Sequence, residues 1–154
     1  MREFIARMRD AGRVRDITEP LTTRFTPARM AAATDDLLFF HDLEGKRAVM
    51  NLTADRSALA LALGIPPAQM VPRLAEAGFD GEICEEGPLA LGRPDLSSLP
   101  VLHHYPGDAG RYLTSGIVFS AWDDVVNASI HRMLVLDRDH VAARLVEGRH
   151  TYTM

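Results

Sequence analysis

NASIHRMLVLD, residues 127 to 137, decides how this chain is read. Its first six positions carry an amide (Asn127), a hydroxyl (Ser129), an imidazole (His131) and a guanidinium (Arg132), before the apolar run Met133-Leu134-Val135-Leu136. Strand alternation puts Asn127, Ser129, His131, Met133 and Val135 on one face and Ala128, Ile130, Arg132, Leu134 and Leu136 on the other. Arg132 is in phase with Ile130 and Leu134, so its guanidinium is expected on the apolar side and buried. A buried guanidinium requires an acidic partner or an anionic ligand. On the strand alone two readings stay open: an ion pair to a neighbouring strand beside an ordinary polar strand end, or an anion site.

The surrounding segments also read as strands. VLHHYP (101–106), YLTSGIVFSAW (112–122) and HVAARLV (140–146) flank the opening stretch, with turns at Pro106-Gly107, Asp123-Asp124 and Asp137-Arg138-Asp139. They predict about four antiparallel strands running to HTYTM with no closing helix, like a barrel interrupted partway. A hairpin between residues 129–137 and 140–146 would return Arg149 and His150 beside Asn127 and Ser129. An amide oxygen and an imidazole nitrogen are a credible ligand pair for a divalent cation, with carboxylate or phosphate oxygens completing the shell. Two ligands alone do not make a metal site. His103 and His104 are adjacent, so they are expected on opposite sides of a strand, one partly buried and one exposed. The glycines around Asp108 suit either a backbone anion nest or a tight turn.

Upstream, helices and strands alternate. Phe4, Ile5 and Met8 lie at helical spacing, with Gly12 where a C-terminal cap belongs. TPARMAAATDD starts with Thr26 as N-cap and Pro27 at the first helical position, predicting a helix to about Thr34. LLFFHDL (37–43) and RAVMNLT (47–53), separated by Glu44-Gly45-Lys46, suit two buried strands joined by a turn. Two further helices follow, one between Thr53 as cap and Gly64, the other from Pro66 or Pro67 to Gly78, with Pro72 kinking or delaying the latter. EEGPLALGRPDLSSLP (85–100) reads as a linker or surface crossing.

Composition excludes several classes. The chain has 154 residues, 47% hydrophobic and 25% charged, which suits a folded globular protein of about one ordinary domain. A formal charge of −4 argues against a nucleic-acid partner. No apolar run approaches the ~20 residues of a membrane span, and MREFIARMRD lacks a signal-peptide core, so a cytoplasmic location is expected. Cys84 is the single cysteine, flanked by acids that disfavour a thiolate, and offers neither a disulfide nor a cysteine zinc site.

The order of MREFIARMRDAGRVRDITEPL, MNLTADRSALALALG, LPVLHHYPGDAGRYLTSGIVFS and NASIHRMLVLDRDHVAARLVEGRH resembles the UbiD family of decarboxylases over essentially the whole chain. The resemblance implies an α/β (α+β) fold. A small N-terminal α/β domain (residues 1–97) would precede the first strands of a split β-barrel flavin-binding domain (residues 98–154), itself incomplete. It implies non-oxidative decarboxylation of α,β-unsaturated or aromatic carboxylic acids with prenylated FMN and a divalent metal, usually Mn2+, with K+ as a further ion. Asn127 and His150 match the family's metal ligands, which hold the ion against the cofactor phosphate. Ser129 and Ile130 match cofactor contacts, and Arg132 matches the catalytic arginine near the flavin ring. Arg149 stands where the family often has Gln on the cofactor side, and Thr114 lies in a segment near the active site. The family's third metal ligand, a Glu, the glutamates that partner the arginine, and the dimerising C-terminal domain fall beyond the matched span. The chain therefore resembles the N-terminal third of such an enzyme, with a partner chain or a longer natural product required to supply the rest, and a homo-oligomer is the other assembly the resemblance implies. The alternatives are a non-catalytic flavin-phosphate-binding subunit or truncated fragment and, less suited to an Asn127/His150 pair, a flavin reductase on a similar barrel.

Overall fold

A computed structural model describes residues 1–78 and 92–154, so Cys84 and the first part of the 85–100 passage lie outside the described residues. Contacts divide the chain into two units, one of Met1–Glu19, Ala31–Asp42 and Arg47–Arg93, the other of Pro20–Met30, Leu43–Lys46 and Pro94–Met154.

In the first unit, helix α1 (Arg2–Asp10) buries Met8 and turns Phe4 and Ile5 toward the same core. Its end is closed by Ala11 and Gly12, whose N–H groups donate to the Arg7 and Arg9 carbonyls at 3.0 and 2.9 Å. Gly12 has φ +69°, a left-handed conformation without penalty for a residue lacking Cβ. Strand β1 (Val14–Ile17), not anticipated from the sequence, pairs in parallel with β2 (Leu37–Leu43), Val14 opposite Leu37 and Ile17 opposite Phe40. Helix α2 (Thr26–Ala32) lies between them in the chain, and β3 (Lys46–Met50) follows β2 across the Glu44-Gly45 turn, giving the sheet order β1-β2-β3. Consecutive Leu37 and Leu38 are both buried, as are Phe40 and Leu43, because a strand covered on both faces has no polar alternation to show. Leu37 meets Met8 and Ala58 in a core joined by Val14, Phe39, Val49, Leu52 and Leu61.

Helix α3 (Arg56–Leu63) starts later than expected: Asp55, not Thr53, is its N-cap, accepting from the Ala58 N–H at 2.7 Å. The same carboxylate takes the Arg13 guanidinium at 2.9 Å, an ionic partner a threonine cannot use. The helix ends at Gly64 as expected, with φ +69°. A 3-10 turn (Pro67–Gln69) then leads into α4 (Met70–Glu76), whose first turn holds Pro72, where a missing N–H costs no intrahelical bond. The Arg13 guanidinium, then the Ala58 N–H, hold the Asp55 carboxyl at about 2, below its ordinary 3.8. Asp55→Ala is therefore expected to cost about 1 kcal/mol, read as a lower urea midpoint at neutral pH. Since the folded value lies below the unfolded one, this stabilisation is present above 3.8 and is lost as pH falls through about 2. The midpoint gap between wild type and variant should close across that window.

The second unit contradicts the strand expected at VLHHYP. His103 forms only an isolated bridge to Arg24, its N–H donating to the Thr23 carbonyl at 3.0 Å while the Phe25 N–H donates to its own carbonyl at 2.8 Å. His103 and His104 are both half-buried, so the expectation of one exposed histidine also fails: no regular alternation acts where there is no strand. The glycine-flanked Asp108 belongs to a tight turn, its N–H donating to the Tyr105 carbonyl and its carboxylate accepting from the Tyr105 N–H, at 3.0 and 3.1 Å. Buried Thr23 donates from both its N–H and its hydroxyl to Glu44 Oε1.

An antiparallel sheet of order β4-β5-β6 follows, from β4 (Tyr112–Trp122), β5 (Val125–Val135) and β6 (Val141–Ala143). It has three strands where four were expected, and β6 is shorter than HVAARLV. The β4–β5 hairpin turns at Asp123-Asp124, with Asp123 at φ +49°. Between Leu113 (opposite Met133) and Gly116 (opposite His131), β4 spends three steps against two on β5, a bulge carrying one extra residue. Beyond it, Ile117, Phe119, Val126 and Ile130 lie on one face and are exposed. A one-turn helix, α5 (His150–Thr153), overturns the expectation of a chain without a closing helix. Its Thr153 and Met154 N–H groups donate back to the Arg149 and His150 carbonyls. Among the described residues no single helix is long and apolar enough to cross a membrane.

Candidate cofactor and metal site

Strand β5 presents Asn127, Ser129 and His131 on one half-buried face, as alternation predicts. Helix α5 brings Thr151 against that face: the Asn127 amide nitrogen donates to Thr151 Oγ1 at 3.0 Å and to Ser129 Oγ at 3.3 Å. Ser129 Oγ lies 2.8 Å from His131 Nε2 and 3.2 Å from Thr151 Oγ1, which is itself 3.4 Å from His131 Nε2. Both amide hydrogens are thus committed to hydroxyls, and among the described residues Asn127 Oδ1 accepts no hydrogen bond.

The face opens on a cavity of about 630 Å³ whose lining includes Asn127, Ser129, Ile130, Arg132, Arg149 and His150. All six belong to the residues singled out from the sequence. The hairpin expected to return His150 toward Asn127 exists in shortened form, β5–β6 pairing spanning Met133–Val135 and Val141–Ala143. Arg144 lines the cavity too, and none of the lining residues is acidic. Three guanidiniums and no carboxylate give a wall of positive potential suited to an anion. Thr114, also singled out, is not among the lining residues; it is exposed at the β4 bulge.

Arg132 corrects an expectation. It does share a face with Ile130 and Leu134, but it is exposed, its guanidinium lying over the Tyr112 ring at 4.8 Å from the centroid. The apolar side of β5 is open, with Ile130 70% exposed, so the guanidinium meets an aromatic face and solvent instead of a buried acid. His131 and Thr151 were not singled out from the sequence. The signal for His131 was its phase with Asn127 and Ser129; Thr151 had none, because its placement depends on α5.

A separate grouping, exposed Asp137, Asp139 and His140, is the β5–β6 turn: Asp137 Oδ1 accepts from the N–H groups of Asp139 and His140 at 3.1 and 2.9 Å. Those two N–H groups and the His140 ring hold the Asp137 carboxyl below its ordinary range. This is turn chemistry.

The polar strand face thus meets an electropositive cavity whose lining includes both Asn127 and the imidazole of His150. The chain belongs to the UbiD family: residues 5–78 match the 3-octaprenyl-4-hydroxybenzoate carboxy-lyase N-terminal domain and residues 80–154 its Rift-related domain. The anhydromevalonate phosphate decarboxylase of Methanosarcina mazei is 36% identical across 99% of this chain, which spans 37% of that relative's length. The UbiD-class enzyme HmfF of Pelotomaculum thermopropionicum, in complex with FMN, superposes with a TM-score of 0.81 at 27% identity, over 99% of this chain and 38% of its own. An evolved dimeric form of HmfF, in complex with prenylated FMN, gives 0.81 at 28% identity over 98% and 39%.

Proposed function

We propose that this chain carries the phosphate and metal half-site of a prenylated-FMN-dependent decarboxylase, with Asn127 Oδ1 and His150 holding a divalent cation against the flavin phosphate. The observation that carries the reading is the amide of Asn127: its nitrogen is tied to Ser129 and Thr151, leaving a carbonyl oxygen unengaged in an acid-free, arginine-lined cavity that His150 also lines. An amide oxygen, an imidazole and phosphate oxygens form a donor set suited to Mn2+. Residues 98–154 act as the opening of the flavin-binding domain and residues 1–97 as the α/β domain preceding it.

Prenylated FMN, when bound, supplies the electron sink for loss of CO2. Ser129, Ile130 and Arg149 line the cavity and would hold the cofactor, Arg149 supplying positive charge toward its phosphate. Arg132, steadied against Tyr112, pairs with the substrate carboxylate and orients the bond to be broken. In this reading the third metal ligand and the proton-donating glutamates belong to family length outside the span matched here. The relatives favour a small α,β-unsaturated acid of the anhydromevalonate phosphate kind.

The test is co-retention of FMN by the purified chain with and without Mn2+, read by flavin absorbance after desalting. Wild type is expected to retain FMN in a Mn2+-dependent manner and His150→Ala to lose that dependence. Equal retention by a folded His150→Ala chain would sink the half-site reading.

A further inference from the structure

We propose that His131 is a positioning residue that decides which end of the Asn127 amide faces the cavity. The inference rests on the reading of Asn127 as a metal ligand. Four groups share one network: the Asn127 amide, the Ser129 and Thr151 hydroxyls, and His131 Nε2. Counting hydrogens gives two self-consistent orders.

In the first order His131 carries its proton on Nδ1, so Nε2 is a bare acceptor. Ser129 donates its hydroxyl proton to Nε2 at 2.8 Å, and Ser129 Oγ is then free to accept from the Asn127 amide nitrogen. Thr151 accepts the second amide hydrogen and passes its own proton to Ser129 or His131. Every hydrogen is placed, and Asn127 Oδ1 points away from the network. In the second order Nε2 carries the proton and donates to Ser129, Ser129 and Thr151 donate to the amide oxygen, and the amide NH2 is presented outward. An NH2 group facing the ion would repel it.

A hydroxyl adapts to either order and so selects neither. The imidazole is the member whose proton placement is distinguishable, so its tautomer sets the polarity of the chain. The charge of the cavity independently favours the first order. Arg132, Arg144 and Arg149 line it, and an outward carbonyl dipole faces them with its negative end. His131 therefore acts on the cation through the Ser129 and Thr151 hydroxyls and Asn127, without touching it.

The experiment has two readouts on the purified chain. The first is 15N NMR of the histidine side chains without metal, assigned by loss of signal in His131→Gln; a non-protonated Nε2 is expected for His131, and a protonated one overturns the inference. The second is Mn2+ affinity with FMN present, followed by the EPR signal of free aqueous Mn2+. His131→Phe, which keeps ring volume but has no acceptor, is expected to weaken binding about tenfold or more, as loss of an outer-shell partner does. His131→Gln, whose amide oxygen can accept from Ser129, is expected to recover most of that loss, which a purely structural role would not produce. In a background lacking both hydroxyls, Ser129→Ala with Thr151→Val, His131→Phe should add nothing further, because the links it acts through are gone. Wild-type affinity in His131→Phe while Asn127→Ala weakens binding overturns the positioning role alone. If Asn127→Ala leaves Mn2+ affinity unchanged, or the wild-type chain binds none, the metal reading fails and this inference with it.

Discussion

Replacing Asn127 with alanine is expected to weaken Mn2+ binding in the presence of FMN on the order of a hundredfold, since even partners one shell removed from a metal are worth ten- to a hundredfold. The variant removes the unengaged Oδ1 and, with it, the donor to Ser129 and Thr151. It should also erase discrimination between FMN and riboflavin. If Asn127 and His150 hold the cation as proposed, a flavin lacking the phosphate should gain nothing from Mn2+, and without Asn127 the two flavins should bind alike. Titration of each flavin with and without Mn2+, by fluorescence quenching, checks this. A persistent Mn2+-dependent preference for FMN in Asn127→Ala would move the ion elsewhere in the cavity.

The second large effect is structural. Leu37→Ala is expected to destabilise the chain by about 2–5 kcal/mol, a large share of the ~5–15 kcal/mol that holds a domain folded. Leu37 is fully buried between Met8 of α1 and Ala58 of α3, at the β2 position that pairs with Val14. Truncation leaves a void that two helices and a sheet must collapse to fill. Leu37→Met, which conserves volume, should cost less than ~1.5 kcal/mol. Urea unfolding followed by circular dichroism separates the two; similar midpoints for both variants would mean the core is looser than its burial indicates.

How much of this was legible in the sequence depended on how local its cause was. LLFFHDL is apolar enough to announce β2 by itself, and Asn127, Ser129 and His131 announce their shared face by alternation. VRDI announces nothing, since β1 is only four residues long and two are polar: Asp16 is engaged by Arg9 and His41, and Arg15 by Asp36. Its strand character comes from pairing with β2, which no local pattern carries. The cap of α3 was misplaced by two residues because the competition between Thr53 and Asp55 is decided by Arg13, 42 positions upstream of Asp55. Periodicity also told correctly which residues share the face of Arg132, but not whether that face is covered, and so it put the guanidinium inside. Thr151 became visible only with α5.

The bulge in β4 has a further consequence for how this segment can vary. Before it Leu113 shares the face of Met133; after it Gly116, opposite His131, resumes that face, so the extra residue reverses the odd-even phase of everything from Gly116 to Trp122. Thr114 and Ser115 are both exposed and polar, and look as replaceable as any loop. Their number is nonetheless constrained. Deleting one would turn Val118, Ser120 and Trp122 away from the side of Asn127 and Ser129 and swing Ile117 and Phe119 onto it. The stretch is thus closed to single-residue insertion or deletion, a constraint on the reading frame of the strand that no individual side chain reveals.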